Sequence, residues 1–231
     1  MDDNFSSIVS AVRMGRRIFD NLRKALGYTF AIHVPITGLA LIPVFFKDLP
    51  LMLWPVHVVF LEMIIDPACS IIFEAEQEEK NVMLRPPKPI DEPFFGASKI
   101  WMSCTQGLFI LAAVFSVYGM GIHLGYTERA VRSLTFTCMI AANIATILSN
   151  RSWSRNIFHI LFTPNPYVKW VIGGAAFFLW LVLNVPILLD LFRFDRIRLS
   201  EAAVCAAIGI SSITWFELHK RFRLRQKKTH P

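Results

Sequence analysis

Apolar residues fall in recurring stretches near 20 residues, separated by short charged links. Stretches of that length match the roughly 30 Å hydrocarbon core of a bilayer at about 1.5 Å rise per helical residue. The pattern predicts six spans: Gly27–Phe46, Leu51–Phe73, Ile100–His123, Ser133–Ser149, Val168–Leu189 and Glu201–Leu218. The expected fold is therefore all-α, a polytopic membrane protein with six transmembrane helices. Only Lys47-Asp48-Leu49-Pro50 joins the first two spans, so they form a tight antiparallel hairpin. Five parts follow: residues 1–26 as a cytoplasmic stalk, 27–73 as the hairpin, 74–99 as a proline-rich link, 100–218 as a four-helix support and 219–231 as a basic tail. No link is long enough to fold as a soluble domain, and no internal repeat is evident.

Composition agrees. Apolar residues make up 54% of the 231 residues and charged ones 18%, where soluble domains carry about 45–50% and about 25%. The net charge of +7 lies between the spans instead of forming one basic domain, and no nucleic-acid motif is present, so nucleic acid is not an expected partner. Eighteen Lys and Arg fall on one side of the six spans and six on the other (Lys47, Arg129, Arg132, Arg193, Arg196 and Arg198). The positive-inside rule places both termini in the cytoplasm. Cys69, Cys104, Cys138 and Cys205 all sit within apolar segments without CxxC spacing, which reads as small buried hydrophobes. The N-terminal MDDNFSSIVSAVRMG has no signal-peptide core, so the first span serves as insertion signal and permanent helix.

Candidate chemistry lies inside the hairpin. A carboxylate at mid-membrane costs at least about 2.5–3.5 kcal/mol on insertion scales, so it faces a partner, a cavity or an ion. Glu62 and Asp66 are four residues apart and share a helical face. Two carboxylates that close require a cation between them or a proton on one, and oxygen ligands of this kind suit hard cations such as Ca²⁺. Pro67 follows directly, and a helix loosened there would release backbone carbonyls as further ligands. An interhelical hydrogen-bonding pair beside an ordinary proline kink is the structural alternative. Span one contributes His33 and Pro35, with a second proline at Pro43. His33 is either a ligand, proton carrier or cationic partner of the acids, or a neutral histidine bonded to a neighbouring helix. His57 reads as an interfacial or packing residue, and Asn143, Thr146 and Asn184 as polar groups that join helices. The glutamates of EAEQEEK read as a solvated charge run. The prolines after them stiffen the link into span three, and HKRFRLRQKK anchors the last helix on anionic lipid.

The order of these features resembles a known family. DDNFSSIVSAVRMGRRIFDNLRKAL is similar to the junction that leads from the phosphorylation domain into the fifth membrane helix of P-type cation ATPases. LPLMLWPVHVVFLEMIIDPACSIIFEAE resembles their sixth helix, NVMLRPPKPIDEPFF the short RPP…EP signature after it, and LFTPNPYVKW and FELHK their last two helices. The likeness covers nearly the whole chain, is tightest over residues 2–95, and points to the calcium-pump-like branch in a bacterial version. It implies ion-binding roles for Asp66, Glu62 and His33, with Pro67 and Pro35 as helix-loosening support. Ile36, Ile65 and Met139 depart from the family pattern, replacing a glutamate, a threonine and an acid. The cargo it implies is Ca²⁺ or another cation, with Mn²⁺, Mg²⁺, Na⁺ and H⁺ open. The phosphorylation, dephosphorylation, nucleotide and hinge motifs do not occur in this sequence, nor do the first four helices of such pumps, so Mg-ATP would act only through other parts. The expected partners are the bilayer, an N-terminal ATPase portion on the same or another polypeptide, and an inorganic cation. The expected location is a bacterial inner membrane. A non-catalytic membrane subunit that binds or regulates a pump, and an independent channel or secondary transporter, are the competing readings.

Overall fold

A computed structural model of the chain describes residues 5–46, 49–79, 81–87, 93–153, 157, 160 and 163–229. Several sequence expectations lie outside those residues: Lys47 and Asp48 of the hairpin link, Lys80, residues 88–92 of the proline-rich link, Arg155, and the side chains of Pro43 and of the tail beyond Phe222. The described residues are helical almost throughout. The elements are α1 (Phe5–Phe45), α2 (Pro55–Pro67) with a π-helical continuation (Ala68–Phe73), α3 (Ala97–His123), α4 (Glu128–Asn150), α5 (Val168–Asn184), α6 (Pro186–Leu191), α7 (Leu199–Ser211) and α8 (Thr214–Thr229). All-α architecture follows from the medium, since a helix satisfies its own backbone groups where no water is present.

Among the described residues five helical stretches are long and apolar enough to cross a bilayer: Phe5–Ile42, Pro55–Phe73, Ala97–His123, Glu128–Asn150 and Leu199–Phe222. The fifth predicted span takes a different form. Its helix α5 stops at Asn184, because Pro186 has no N–H and disfavours helical geometry at Val185, which is extended (φ −84°, ψ 120°). A short α6 then restarts at Pro186. Stalk and first span are one element: α1 has 41 residues, about 60 Å at 1.5 Å per residue, so a third or more of it projects beyond the roughly 30 Å hydrocarbon core.

α4 is the axis of the bundle, with 83% of its apolar window buried. Small residues let the other helices approach it and each other. Gly209 of α7 lies on the Cys138 carbonyl and 3.0 Å, by the position a Cβ would take, from the Ala142 nitrogen. Gly107 of α3 sits in the same way on the Ala31 carbonyl of α1. Pro35 removes the N–H that this carbonyl would otherwise receive from position i+4, so backbone meets backbone where α1 lacks one of its own hydrogen bonds.

The two charge sets read from the sequence occupy opposite ends of α4. At one end Arg132 donates to the carbonyls of Leu51 (3.0 Å) and Arg193 (2.9 Å), and Arg129 pairs with Asp190 at 2.7 Å. At the other end the expectation of a solvated glutamate run is corrected. Glu76 and Glu79 are 4% and 6% exposed. Arg151 pairs with Glu76 (2.7 Å) and also donates to the carbonyls of Ile160 and Thr163. Lys24 of α1 pairs with Glu79 (3.1 Å), which also accepts from Ser152. Glu217 and Lys220 close the group at 2.8 Å, both bonded to Ser149. Three acids face three bases, so burial leaves no net charge unpaired; the run looked solvated because its partners lie up to 75 residues away. Glu74 is exposed and Glu78 half-buried, and the hydrogen bonds that Glu78 accepts from Arg13 hold its carboxyl below the usual carboxylate range.

Two outcomes follow for stability, both read by thermal unfolding in detergent. Gly209→Ala forces a Cβ into the α4 backbone and costs about 1–3 kcal/mol, whereas Gly173→Ala, with nothing within 4 Å of the added atom, leaves the melting temperature unchanged or higher. Arg151→Met leaves Glu76 buried without its cation and costs about 3–5 kcal/mol; the same change made on top of Glu76→Gln costs distinctly less.

Candidate cation site

α2 starts where the chain can cap it. Pro55 stands at the first helical position, where a missing N–H does no harm. His57 Nδ1 accepts the N–H of Trp54 at 2.9 Å. The His57 Nε2–H donates to the Phe192 carbonyl at 2.8 Å, and the ring stacks on Phe194 at 5.0 Å. Both ring nitrogens are used and the residue is fully buried, which makes it a packing histidine, the second of the two roles that the sequence left open.

Along α2 the residues Phe60, Leu61, Ile64 and Ile65 face the core. Glu62 lies on the other side, half-buried, and Asp66 is exposed. Among the described residues the Asp66 carboxylate has no hydrogen bond or ion pair; only its backbone carbonyl is engaged, by the Ser70 hydroxyl at 2.7 Å. Pro67 does not end the helix. It withholds a donor from the Met63 carbonyl, and the chain then continues as a π-helix over Ala68–Phe73, a wider winding that begins two residues after Asp66.

α1 packs antiparallel to α2 and presents His33 to Glu62. A carbonyl can only accept, so His33 Nδ1–H donates to Thr29 O at 2.8 Å. Nε2 is then the ring nitrogen left to face Glu62. Nε2 stands 3.6 Å from Glu62 Oε1, too long for a hydrogen bond. One turn along the seam, Thr29 Oγ1 meets Cys69 Sγ at 3.4 Å. Tyr28, behind them, donates to Asn143 Oδ1 of α4 at 2.6 Å. Pro35 is buried, and α1 runs through it without a break.

The structure thus brings His33 to Glu62 and places Asp66 one turn further along the same face. Among the described residues no three His, Cys, Asp or Glu side chains converge closely enough to hold a metal ion by themselves. Ile36, Ile65 and Met139, the departures from the family pattern, are all buried in the apolar core. Asn143 joins two helices as expected. Thr146 and Asn184 do not: each bonds the carbonyl four residues back in its own helix, a local partner always within reach. Sequence reasoning missed Thr29 and Cys69. The available signal was their spacing, Thr29 four residues before His33 and Cys69 three after Asp66. Cys69 and Cys104 are half-buried, whereas Cys138 and Cys205 are buried.

The profile described as "Cation transporting ATPase, C-terminus" matches residues 50–222, three quarters of the chain. The chain belongs to this family. As a cation-transporting ATPase C-terminus with several membrane-length apolar helices, it is an integral membrane protein. Similar proteins include Calcium-transporting ATPase 1 of Yarrowia lipolytica, 24% identical over 99% of this chain and 24% of that protein. Calcium-transporting ATPase of Bacillus subtilis is 26% identical over 98% of this chain and 25% of its own length. The sodium/potassium-transporting ATPase subunit alpha of Drosophila melanogaster is 35% identical over 58% of this chain and 14% of that protein. The chain spans about a quarter of the length of the calcium-transporting relatives.

The two histidines of the hairpin separate by mutation. His57→Phe leaves the Trp54 N–H and the Phe192 carbonyl unpaired in the interior and costs about 1–3 kcal/mol; His33→Phe, at a half-exposed side chain, costs well under about 1 kcal/mol. Thermal melts of the two variants in the same detergent check the difference.

Proposed function

We propose that this chain is the cation-translocating membrane portion of a P-type ATPase, which takes its ion between α1 and α2 with Glu62, Asp66 and His33 as ligands. The observation that carries this reading is the Asp66 carboxylate, without a hydrogen bond or ion pair among the described residues, one turn from the Glu62–His33 pair. An unpaired carboxylate in an apolar span is costly to insert, and in a family of cation-transporting ATPases a passing cation is the partner that justifies it. Pro67 and Pro35 support the site by withholding backbone donors from α2 and α1.

An N-terminal ATPase portion, on the same or another polypeptide, supplies the rest of the coordination shell and hydrolyses Mg-ATP. The cation is Ca²⁺, as the names of the relatives suggest, or another divalent ion that carboxylates can hold. Both termini face the cytoplasm, which the segregation of eighteen of the 24 Lys and Arg on one side supports. The bacterial relatives favour a bacterial inner membrane. In membranes that contain the assembled pump, Asp66→Asn reduces cation-stimulated ATP hydrolysis to background. Unchanged cation-dependent turnover would sink the assignment.

A further inference from the structure

Resting on the reading of this hairpin as a cation site, we infer that His33 and Glu62 make it selective for a divalent first-row transition-metal ion over Ca²⁺. The imidazole arrives with its role already fixed. The hydrogen bond from Nδ1 to Thr29 O is the outer contact that orients metal-ligating histidines and raises their basicity. It leaves Nε2 as the ring nitrogen that faces a carboxylate oxygen 3.6 Å away. At that separation the two atoms are too far apart for a direct hydrogen bond, and a cation placed between them would bind both. A cation bound to both at about 2.0–2.2 Å with a tetrahedral angle separates its ligands by roughly 3.3–3.6 Å, so the observed gap accommodates one.

The donor set decides which cation. Ca²⁺ takes six to eight oxygens and gains little from a ring nitrogen, whereas imidazole with carboxylate suits Zn²⁺ and its neighbours in the first transition row. The positions that could have restored an all-oxygen shell do not do so: Ile36 and Ile65 are both apolar and buried in the core. The next side chain along the seam after Asp66 is the Cys69 thiol, which is softer still.

The test uses the full chain in lipid nanodiscs with ¹⁵N-labelled histidine, titrated with Zn²⁺ or Ca²⁺ alone. Zn²⁺ should move the His33 Nε2 resonance at a concentration about tenfold or more below that needed for Ca²⁺. Glu62→Gln should raise the Zn²⁺ midpoint. His33→Asn, with a thermal melt to show that the fold is kept, should erase the preference when Zn²⁺ and Ca²⁺ binding are compared by calorimetry. Equal midpoints for the two ions, both raised by Glu62→Gln and Asp66→Asn, would overturn the selectivity and leave the cation site standing. Titrations that neither substitution alters, or a His33 resonance that neither ion moves, would overturn the site together with its selectivity.

Discussion

Hydrocarbon offers no hydrogen-bond partner, and almost every feature of this chain is a response to that constraint. Backbone groups are closed within helices. Where a proline opens the ladder in α1, the glycine backbone of α3 moves in against the freed carbonyl. Buried side chains obey the same demand. His57 uses both nitrogens, Arg132 reaches two carbonyls, and six charges at the far end of α4 cancel in pairs. The closure is not complete, since Trp54 Nε1, Gln106 Nε2, Tyr118 Oη and Thr135 Oγ1 are buried without a hydrogen bond among the described residues; the open groups of the hairpin differ in lying together. Asp66 and the Nε2 of His33 are polar, sit in the same seam, and have no hydrogen bond among the described residues. Unsatisfied polar groups in a low-dielectric region are expensive enough that they mark sites of function more often than faults of packing.

Packing explains why the seam stays open. α4 is enclosed by its neighbours, and contacts between small residues draw α1, α3 and α7 in around it. α1 and α2 turn their apolar sides toward this centre, burying Ile32, Ile36, Leu39, Leu61, Ile64 and Ile65. Once that side of each helix is committed, the polar residues of the same helices can only lie toward the outer margin of the hairpin. The exposure of Asp66 is thus a consequence of where the apolar residues were placed four positions at a time.

The helical class, most of the span positions and the segregation of charge were legible in the sequence because each depends on local runs of residues. The candidate acids were legible for the same reason: Glu62 and Asp66 stand out against an apolar background at helical spacing. Glu76 and Glu79 were misread because a short acidic run looks the same in solvent as in a buried network, and only Arg151 and Lys24, distant in sequence, distinguish the two. The role of Nδ1 in His33 was hidden in a different way. Its partner is a backbone carbonyl, which every residue possesses, so no residue type announces it. The break at Val185 was visible as a proline, yet a proline within a span can end a helix, as Pro186 does, or pass through it, as Pro35 does, and the choice lies with the surrounding packing.

α1 and α2 are joined twice below their connecting link. One junction is the polar seam, His33 to Glu62 and Thr29 to Cys69. The other is the charged end, where Arg17 and Asn21 hold the Glu76 carbonyl and Lys24 holds Glu79. Between the two junctions α1 is an unbroken α-helix, while its partner passes through the π-helical turns Ala68–Phe73. A regular α-helix is stiff along its axis, and a π-helical stretch is the less favourable winding. Any displacement of the α1 stalk therefore reaches the seam along a rigid rod, and the compliant element lies in α2, immediately beside Asp66. The pairing of a stiff helix with a yielding one means that His33 moves with the stalk, whereas the π-helical turns beside Asp66 can give between that carboxylate and the charged end.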